Sequence, residues 1–482
     1  MSELSTLQIS KMGLLAQKFG LDVTSNNIAN VNTPGYSRRD AILTEADPLL
    51  KDGSFLGMGA AAAALKTFRE EFYDSELRNN LGRFSSFSSD DQILTRLEAI
   101  LAEPSENGLG DLTANFFNAF ENVSLNPESV AHRDTLLSVS GSLIDRFHFL
   151  SQQLTDMRRD IGTNIELNAD KANKLISEIA GLNKNIAQAS VSASKSQGVQ
   201  SYIDERENKL EELASLVGIS ISDGKFGTVN VFLNGINLIT GSDYSKIKTN
   251  ETINSVTGER TINLLQTDIK DNAIGSLTPQ SGEIASQLKH YNITLDDADS
   301  SNGFSVLTKL NDFADAIVQN VNNLTINGFG LDDNGPNPPG RSFFEPSVGK
   351  ATAFNIEINK EILQDSRKIP LSSAANEPGN NSVALLISRI AQNKSFLDDL
   401  TPSEFYNGLI SRLGSTSKEA LNGLNNTKLI NEQLHNQRDT ISGVNLDEEA
   451  VNLIRFQKAY EASSRVMATM NQMLSTLVNL GK

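Results

Sequence analysis

The sequence of 482 residues contains no cysteine and no tryptophan. Without cysteine there are no disulfides, thiolate nucleophiles or cysteine-based metal sites. Without tryptophan, and with only 6% aromatic residues, no single large core is implied in a chain long enough for two to four domains. The four histidines, His132, His148, His290 and His435, lie far apart, whereas zinc sites usually show closer pairs. No apolar run approaches the roughly 18 residues needed to span a bilayer. The first twenty residues lack a basic start followed by an apolar block of about 7–15 residues. The chain is expected to be soluble, or to leave the cell without a cleaved signal peptide.

The net charge is −17 and is unevenly spread. Residues 1–40 hold four basic and three acidic side chains, and residues 441–482 hold four of each, which leaves −18 on the middle. Near-neutral ends can pack closely on copies of themselves while an acidic middle stays solvated. The same acidity argues against a nucleic-acid partner, because no basic stripe exists to neutralise phosphates.

Apolar residues follow helical spacing at both ends. Ile9, Met12, Ala16, Phe19 and Val23 predict a helix over 4–30, weakened by Gly13 and Gly20 at about 1 kcal/mol each relative to Ala. Thr33-Pro34-Gly35-Tyr36 ends it, with Pro second and Gly third as a type II turn requires. From Leu446 to Leu477 the seam Leu446, Leu453, Phe456, Tyr460, Ser463, Met467, Met470, Leu474, Leu477 occupies a and d positions of a heptad repeat. Glu449 and Ser463 break its apolar run, and Val466, Met473 and Leu480 widen the stripe. As a lone helix such a seam buries too little to offset the entropy of ordering it. The two ends are therefore expected to be mobile in the free subunit and to order on assembly.

Between the ends, residues 36–66 read as extended or irregular, with turns at Asp52-Gly53 and Gly57–Gly59. Helices are predicted over about 67–102, 111–121, 202–217, 282–323, 382–393 and 403–440. A long helix opens at Asn126-Pro127-Glu128, with Pro at the first helical position, and runs to about Ser190. Its length requires an elongated shape. Residues 190–200 read as a Ser-rich loop. Residues 218–265 alternate as β strands, and Phe354, Ile356 and Ile358 predict another strand. The expected fold is mainly α with a central α+β insertion, elongated, its terminal helices paired as a coiled coil. The expected parts are 1–40 with 441–482, 41–200 with 381–440, and 201–380.

Two stretches carry a family resemblance. Asn26-Asn27-Ile28-Ala29-Asn30-Val31-Asn32-Thr33-Pro34-Gly35-Tyr36 resembles the amino-terminal signature of the bacterial flagellar rod, hook and hook-associated axial proteins. Gly443 to Ala450, followed by Leu453, Gln457, Ala459, Tyr460 and Ala462, is similar to their carboxy-terminal signature. Phe116-Phe117-Asn118-Ala119-Phe120, Asn126–Ser129 with Arg133, Asp204–Glu207 with Leu210, Leu213 and Val217, and Phe343-Phe344 resemble the hook-associated members. Ala60–Ala64 departs from the family, which tends to alternate Val there. The resemblance implies a structural subunit at the junction of hook and filament, outside the cell, exported through the flagellar type III apparatus. It implies contacts with copies of itself, the hook protein and the next hook-associated junction protein, and a cytoplasmic export chaperone on the carboxy-terminal helix. No nucleic acid, membrane, cofactor, metal or catalytic residue is expected.

The assembly turn is assigned to Asn27, Asn30, Asn32, Pro34, Gly35 and Tyr36. The assembly seam is assigned to Leu453, Phe456, Tyr460, Met467, Met470, Leu474 and Leu477. A hook or distal-rod protein shares both end signatures, but the long helix after Pro127 argues against it. A flagellum-exported enzyme or adhesin is the reading from another class. Enzyme-like motifs find no support. Before Gly57-Met58-Gly59 the stretch Leu49-Leu50-Lys51-Asp52-Gly53 makes a poor strand, whereas a dinucleotide fingerprint follows a buried one. Asn302 stands where a calcium loop from Asp297, Asp299 and Ser301 needs Gly. Ser192–Lys195 fits Ser-x-x-Lys without companion motifs.

Overall fold

A computed structural model describes residues 2–51, 54–103, 105–191, 197–253, 260–296 and 304–480. The turn at Asp52-Gly53, the Ser192–Lys195 motif and the Asp297–Asn302 segment lie outside them. Helices carry the molecule, most of them long: α1 (Ser2–Ala29), α2 (Glu71–Leu101), α3 (Leu109–Leu125), α4 (Val130–Val191), α5 (Gln197–Val217), the short α6 (Glu283–Lys289), α7 (Val306–Thr325), the short α8 (Lys360–Gln364) and α9 (Ser382–Ser388), α10 (Pro402–Ser442) and α11 (Leu446–Leu480). At 62 residues, α4 is about 93 Å long, which makes the molecule elongated. Along it Leu143, Phe147, Leu150, Leu154, Met157, Ile161 and Ile165 are buried at three- and four-residue steps. That stripe faces the common core.

Two aromatic stretches more than two hundred residues apart meet in that core. The Phe116 ring lies 5.8 Å from Phe344, and Phe120 lies 5.4 Å from Phe343. Helix α10 opens on a capping box, Thr401 with Glu404, and runs beside α2. At Gly423 an added Cβ would sit 2.5 Å from the Phe87 ring, so glycine is what lets α2 approach α10.

The strands are β1 (Arg39–Glu45), β2 (Leu49–Lys51), β3 (Ser54–Leu56), β4 (Ala60–Thr67), β5 (Ser220–Asp223), β6 (Val229–Leu233), β7 (Ile236–Thr240), β8 (Asp243–Tyr244), β9 (Lys246–Ile253), β10 (Arg260–Thr267) and β11 (Ala273–Leu277). They form small antiparallel sheets: β1-β4, β2-β3, β5-β6-β7-β8 and β11-β10-β9. Asn173 of α4 clamps β9, donating to Ile247 O and accepting from Ile247 N, both at 2.7 Å.

Several expectations need correction. Pro127 does not open α4. Ser129 N donates to Asn126 O in a turn, and the Ser129 hydroxyl accepts from His132 N, so the helix starts at Val130. Residues 67–70 are not helical, because β4 runs through Thr67 to pair with Arg39. Residues 197–200 belong to α5 and not to a loop. The β region extends to Leu277. Residues 282–323 do not form one helix: α6 passes into a π turn at His290–Thr294, and α7 begins at Val306. Phe354, Ile356 and Ile358 form no strand. The segment turns at Thr352–Asn355, so Phe354 points outward while Ile356 and Ile358 are buried. Residue 201, an expected boundary, lies inside α5, which packs on α2 and α4.

Asp90 of α2 is buried beside the π turn. It accepts from His290 Nε2 at 2.9 Å and from the Ser286 hydroxyl at 2.5 Å. Burial raises its carboxyl, but these hydrogen bonds outweigh that and hold it below the ordinary value. A depressed carboxylate contributes stability above its unfolded value and loses it as pH falls through the folded value. Urea unfolding of the wild type is therefore expected to weaken on acidification below about pH 4. D90N should be weaker at neutral pH and show a flatter acid limb. Parallel acid limbs would contradict this.

Candidate functional site

The two ends of the chain come together as an antiparallel helix pair. A Cβ on Gly13 would face Ser463 Oγ at 3.4 Å, and one on Gly20 would lie 2.5 Å from the Phe456 ring. The positions on α1 rise as those on α11 fall, one heptad apart on each. The glycines that weaken α1 as a lone helix are thus what brings it close to α11. Ala16 and Val23 of α1 and Phe456 of α11 are buried.

The structure places the seam residues unequally. Leu453, Met467, Met470 and Leu474 are half-buried along the pair, and Tyr460 is exposed. The side chain of Leu477 lies outside the described residues. Leu446 is 51% exposed, so the seam effectively begins at Glu449, which is 2% exposed. The break at Glu449 has a partner that heptad spacing could not reveal: Arg38 Nε donates to Glu449 Oε1 at 2.9 Å, and Arg38 Nη1 contacts Glu448 at 2.8 Å. The break at Ser463 is a small residue opposite Gly13.

The turn after α1 is built around Asn27, which is 1% exposed. Its Nδ2 donates to Arg39 O at 2.7 Å, and its Oδ1 accepts from Arg39 N at 3.2 Å and from the Tyr36 hydroxyl at 2.9 Å. One side chain so fixes where α1 stops and β1 starts. Asn30 accepts from the Thr33 hydroxyl. Tyr36 N donates to Thr33 O at 3.2 Å, and Gly35 has φ +73, which makes the type II turn. A Cβ on Gly35 would strike Asn208 of α5 at 1.8 Å, and Asn208 Nδ2 donates to Pro34 O. Burial raises the Tyr36 hydroxyl, offset in part by Arg39, whose guanidinium lies 4.9 Å from the ring. Asn32 and Pro34 are exposed on a cleft of about 870 Å³ between this turn and the α10–α11 connection at Ser442–Leu446.

A cluster of ion pairs joins the helix pair to the long helices. Arg39 Nη2 meets Asp204 Oδ2 of α5 at 2.6 Å, both side chains nearly buried. Arg69 reaches Asp74 at 2.6 Å and Asp204 at 3.4 Å. Arg78 and Glu207 pair at 2.7 Å. Arg38 N donates to Ser442 O, which ties the start of β1 to the end of α10. Sequence reading did not select Arg38, Arg39, Arg69, Asp204 or Glu449 for the site. The adjacent arginines after the turn and the acidic first turn of α11 were the available signal. Among the described residues no group of three or more His, Asp or Glu side chains is placed to hold a metal ion, and no helix is long and apolar enough to cross a membrane.

A helical protein that closes on paired termini with these two signatures is an axial component of the bacterial flagellum. Residues 7–36 match the family described as flagella basal body rod protein, and residues 436–480 match the carboxy-terminal family of the flagellar basal body rod proteins FlgEFG. Residues 94–344, more than half of the chain, match the helical domain of flagellar hook-associated protein FlgK, and the chain belongs to that family. It is similar to flagellar hook-associated protein 1 of Bacillus subtilis (strain 168), 25% identical across 98% of this chain and 97% of that protein. The protein of the same name from Escherichia coli (strain K12) is 24% identical across 99% and 100%. The flagellar hook junction protein FlgK from Burkholderia pseudomallei has the same fold, with a TM-score of 0.65 at 14% identity, over 76% of this chain and 100% of that one.

Proposed function

We propose that the chain is a structural subunit of the junction between flagellar hook and filament, joined to its neighbours through the paired terminal helices. The observation that carries this is the antiparallel α1–α11 pair, which shelters one face of each helix and leaves another apolar face open. Leu15, Val451, Ile454, Val466 and Met473 are all about half exposed or more. Copies of the chain cover that face in the assembled ring. The turn residues Asn27, Asn30, Asn32, Pro34, Gly35 and Tyr36 set the angle at which the pair leaves the long helices. The seam residues Leu453, Phe456, Tyr460, Met467, Met470, Leu474 and Leu477 supply its apolar surface.

The subunit is organised as a terminal assembly part, a long-helix part and an outer α+β part, with the outer part beginning after α5. It acts outside the cell, after export through the flagellar type III apparatus. The hook protein and the next hook-associated protein are its neighbours. Before export, a cytoplasmic chaperone covers the apolar stripe of α11, as groove-binding partners cover amphipathic helices. The reading is that of a protein without catalytic activity.

Replacing Met467 and Leu474 together with Asp tests this. Each change puts a charge where assembly requires an apolar contact. Flagella carrying the double variant should lack attached filaments and shed filament protein into the medium. The purified variant should keep the helical content and thermal transition of its middle. Normal filaments would overturn the mechanism.

A further inference from the structure

We propose that the cleft between the end of α4 and the β5–β8 sheet is a carbohydrate-binding site, with Phe226 as its stacking platform. The cleft measures about 760 Å³. Phe226 stands at its edge with φ +58 and its side chain 64% exposed. A bulky side chain in the left-handed region is a genuine outlier, costly to hold there. Here no burial offsets that cost, and the ring makes no aromatic or cation contact among the described residues.

The strained loop is held from both sides. Gly224 N donates to Thr228 O at 2.8 Å, and both the amide and the hydroxyl of Thr228 donate to Lys225 O. Buried Arg206 donates to Gly227 O at 2.8 Å and to Asn183 Oδ1 at 3.1 Å. Asn183, wholly buried in α4, donates to Val229 O and Gly241 O, both at 2.8 Å. Arg206, which also pairs with Glu207, and Asn183 thus anchor to the helices the loop that displays the Phe226 ring.

The rest of the cleft decides what that ring receives. Asp223, Lys184 and Lys225 line it, all exposed and outside any ion pair among the described residues. The Ser242 hydroxyl adds a neutral hydrogen-bonding group, and the Asn230 amide, which accepts from Gly241 N at 3.1 Å and reaches Ser222 Oγ at 3.5 Å, adds a polar wall. Charges of both signs with amide and hydroxyl groups suit a neutral ligand carrying many hydroxyls. An apolar peptide would leave these charges unpaired, and a polyanion, though it would find Lys184 and Lys225, would also meet Asp223 and a chain of net charge −17. A pyranose ring offers C–H bonds on one face for Phe226 and hydroxyls at its edge for the rim. The ligand is therefore a hexopyranose residue, free or within a glycan.

Saturation-transfer NMR on the full chain would test this with methyl glucopyranoside, methyl galactopyranoside and a trisaccharide of N-acetylglucosamine. At least one probe should receive saturation at its ring C–H protons, and a stronger trisaccharide signal would identify a glycan chain as the ligand. F226G relieves the backbone strain, so it should melt no lower than wild type yet bind at least about tenfold more weakly, equivalent to about 1.4 kcal/mol. F226Y keeps the ring and should retain binding. The proposal is overturned if no probe receives saturation from the wild type, or if F226G binds as wild type does. A Phe226 that serves packing alone would instead lower the melting temperature of F226G and leave sugar signals unchanged.

Discussion

Replacing Asp204 by Ala is expected to cost about 3–5 kcal/mol, a large share of the stability of any domain. The size of the effect comes from what remains, not from what is removed. Arg39 is 6% exposed and its Nη2 lies 2.6 Å from Asp204. Without the carboxylate, a guanidinium stays buried with no other ion-pair partner among the described residues and the Tyr36 ring 4.9 Å away. Arg69 loses its second contact at the same time. Arg96 with Asp160 is the control, since both side chains are about half exposed. R96A should cost about 0–1 kcal/mol. D204N keeps an acceptor oxygen and should fall between. R39M with D204L removes both charges together and should recover most of the loss. The urea midpoint of the full chain reads all four. A D204A midpoint equal to that of R96A would show that Arg39 finds water or another partner. The consequence for function lies in the joint. Arg39 N and O are the groups that Asn27 clamps, so displacing Arg39 also releases the angle of the terminal pair.

The periodic parts of the molecule were legible in sequence because burial imposes a period. The spacing of Leu143, Phe147, Leu150 and Leu154 is a property of one helix facing one core, and α4 follows it. The turn at Pro34-Gly35 was legible because glycine at a positive φ is local chemistry. The ion-pair cluster was not legible. Arg39 and Asp204 stand 165 positions apart, and no local period marks two charges that meet only after folding. The strand expected at Phe354 failed for a related reason. Alternation over three residues is also what a buried turn shows when its neighbours are covered by chance of packing. Glu449 and Ser463 looked like defects in the seam because the seam was read alone. With α1 in place, one is half of an ion pair and the other fits against a glycine.

The same reversal makes Gly20 the most informative position in the terminal pair. In an isolated helix, Gly→Ala gains about 1 kcal/mol. A Cβ at residue 20, however, would lie 2.5, 2.6 and 2.8 Å from three atoms of the Phe456 ring. Overpacking of that kind costs about 1–3 kcal/mol, so it outweighs the helix gain, and G20L should prise α1 from α11. At Gly13 the corresponding contact is an ordinary 3.4 Å, so G13A should keep the propensity gain and tighten the pair. The two substitutions thus have opposite signs, which no account based on helix propensity alone allows. Amide exchange along α1 and α11 is the direct measure. In the free subunit both helices are expected to exchange fast and in the assembled ring slowly, because sister chains cover the open face only there. G20L should lose the slow phase and fail to assemble, while F456A introduced with it should restore both by removing the ring that the leucine strikes. If G20L assembles with wild-type protection, the close antiparallel approach of the two ends is not what the junction is built on.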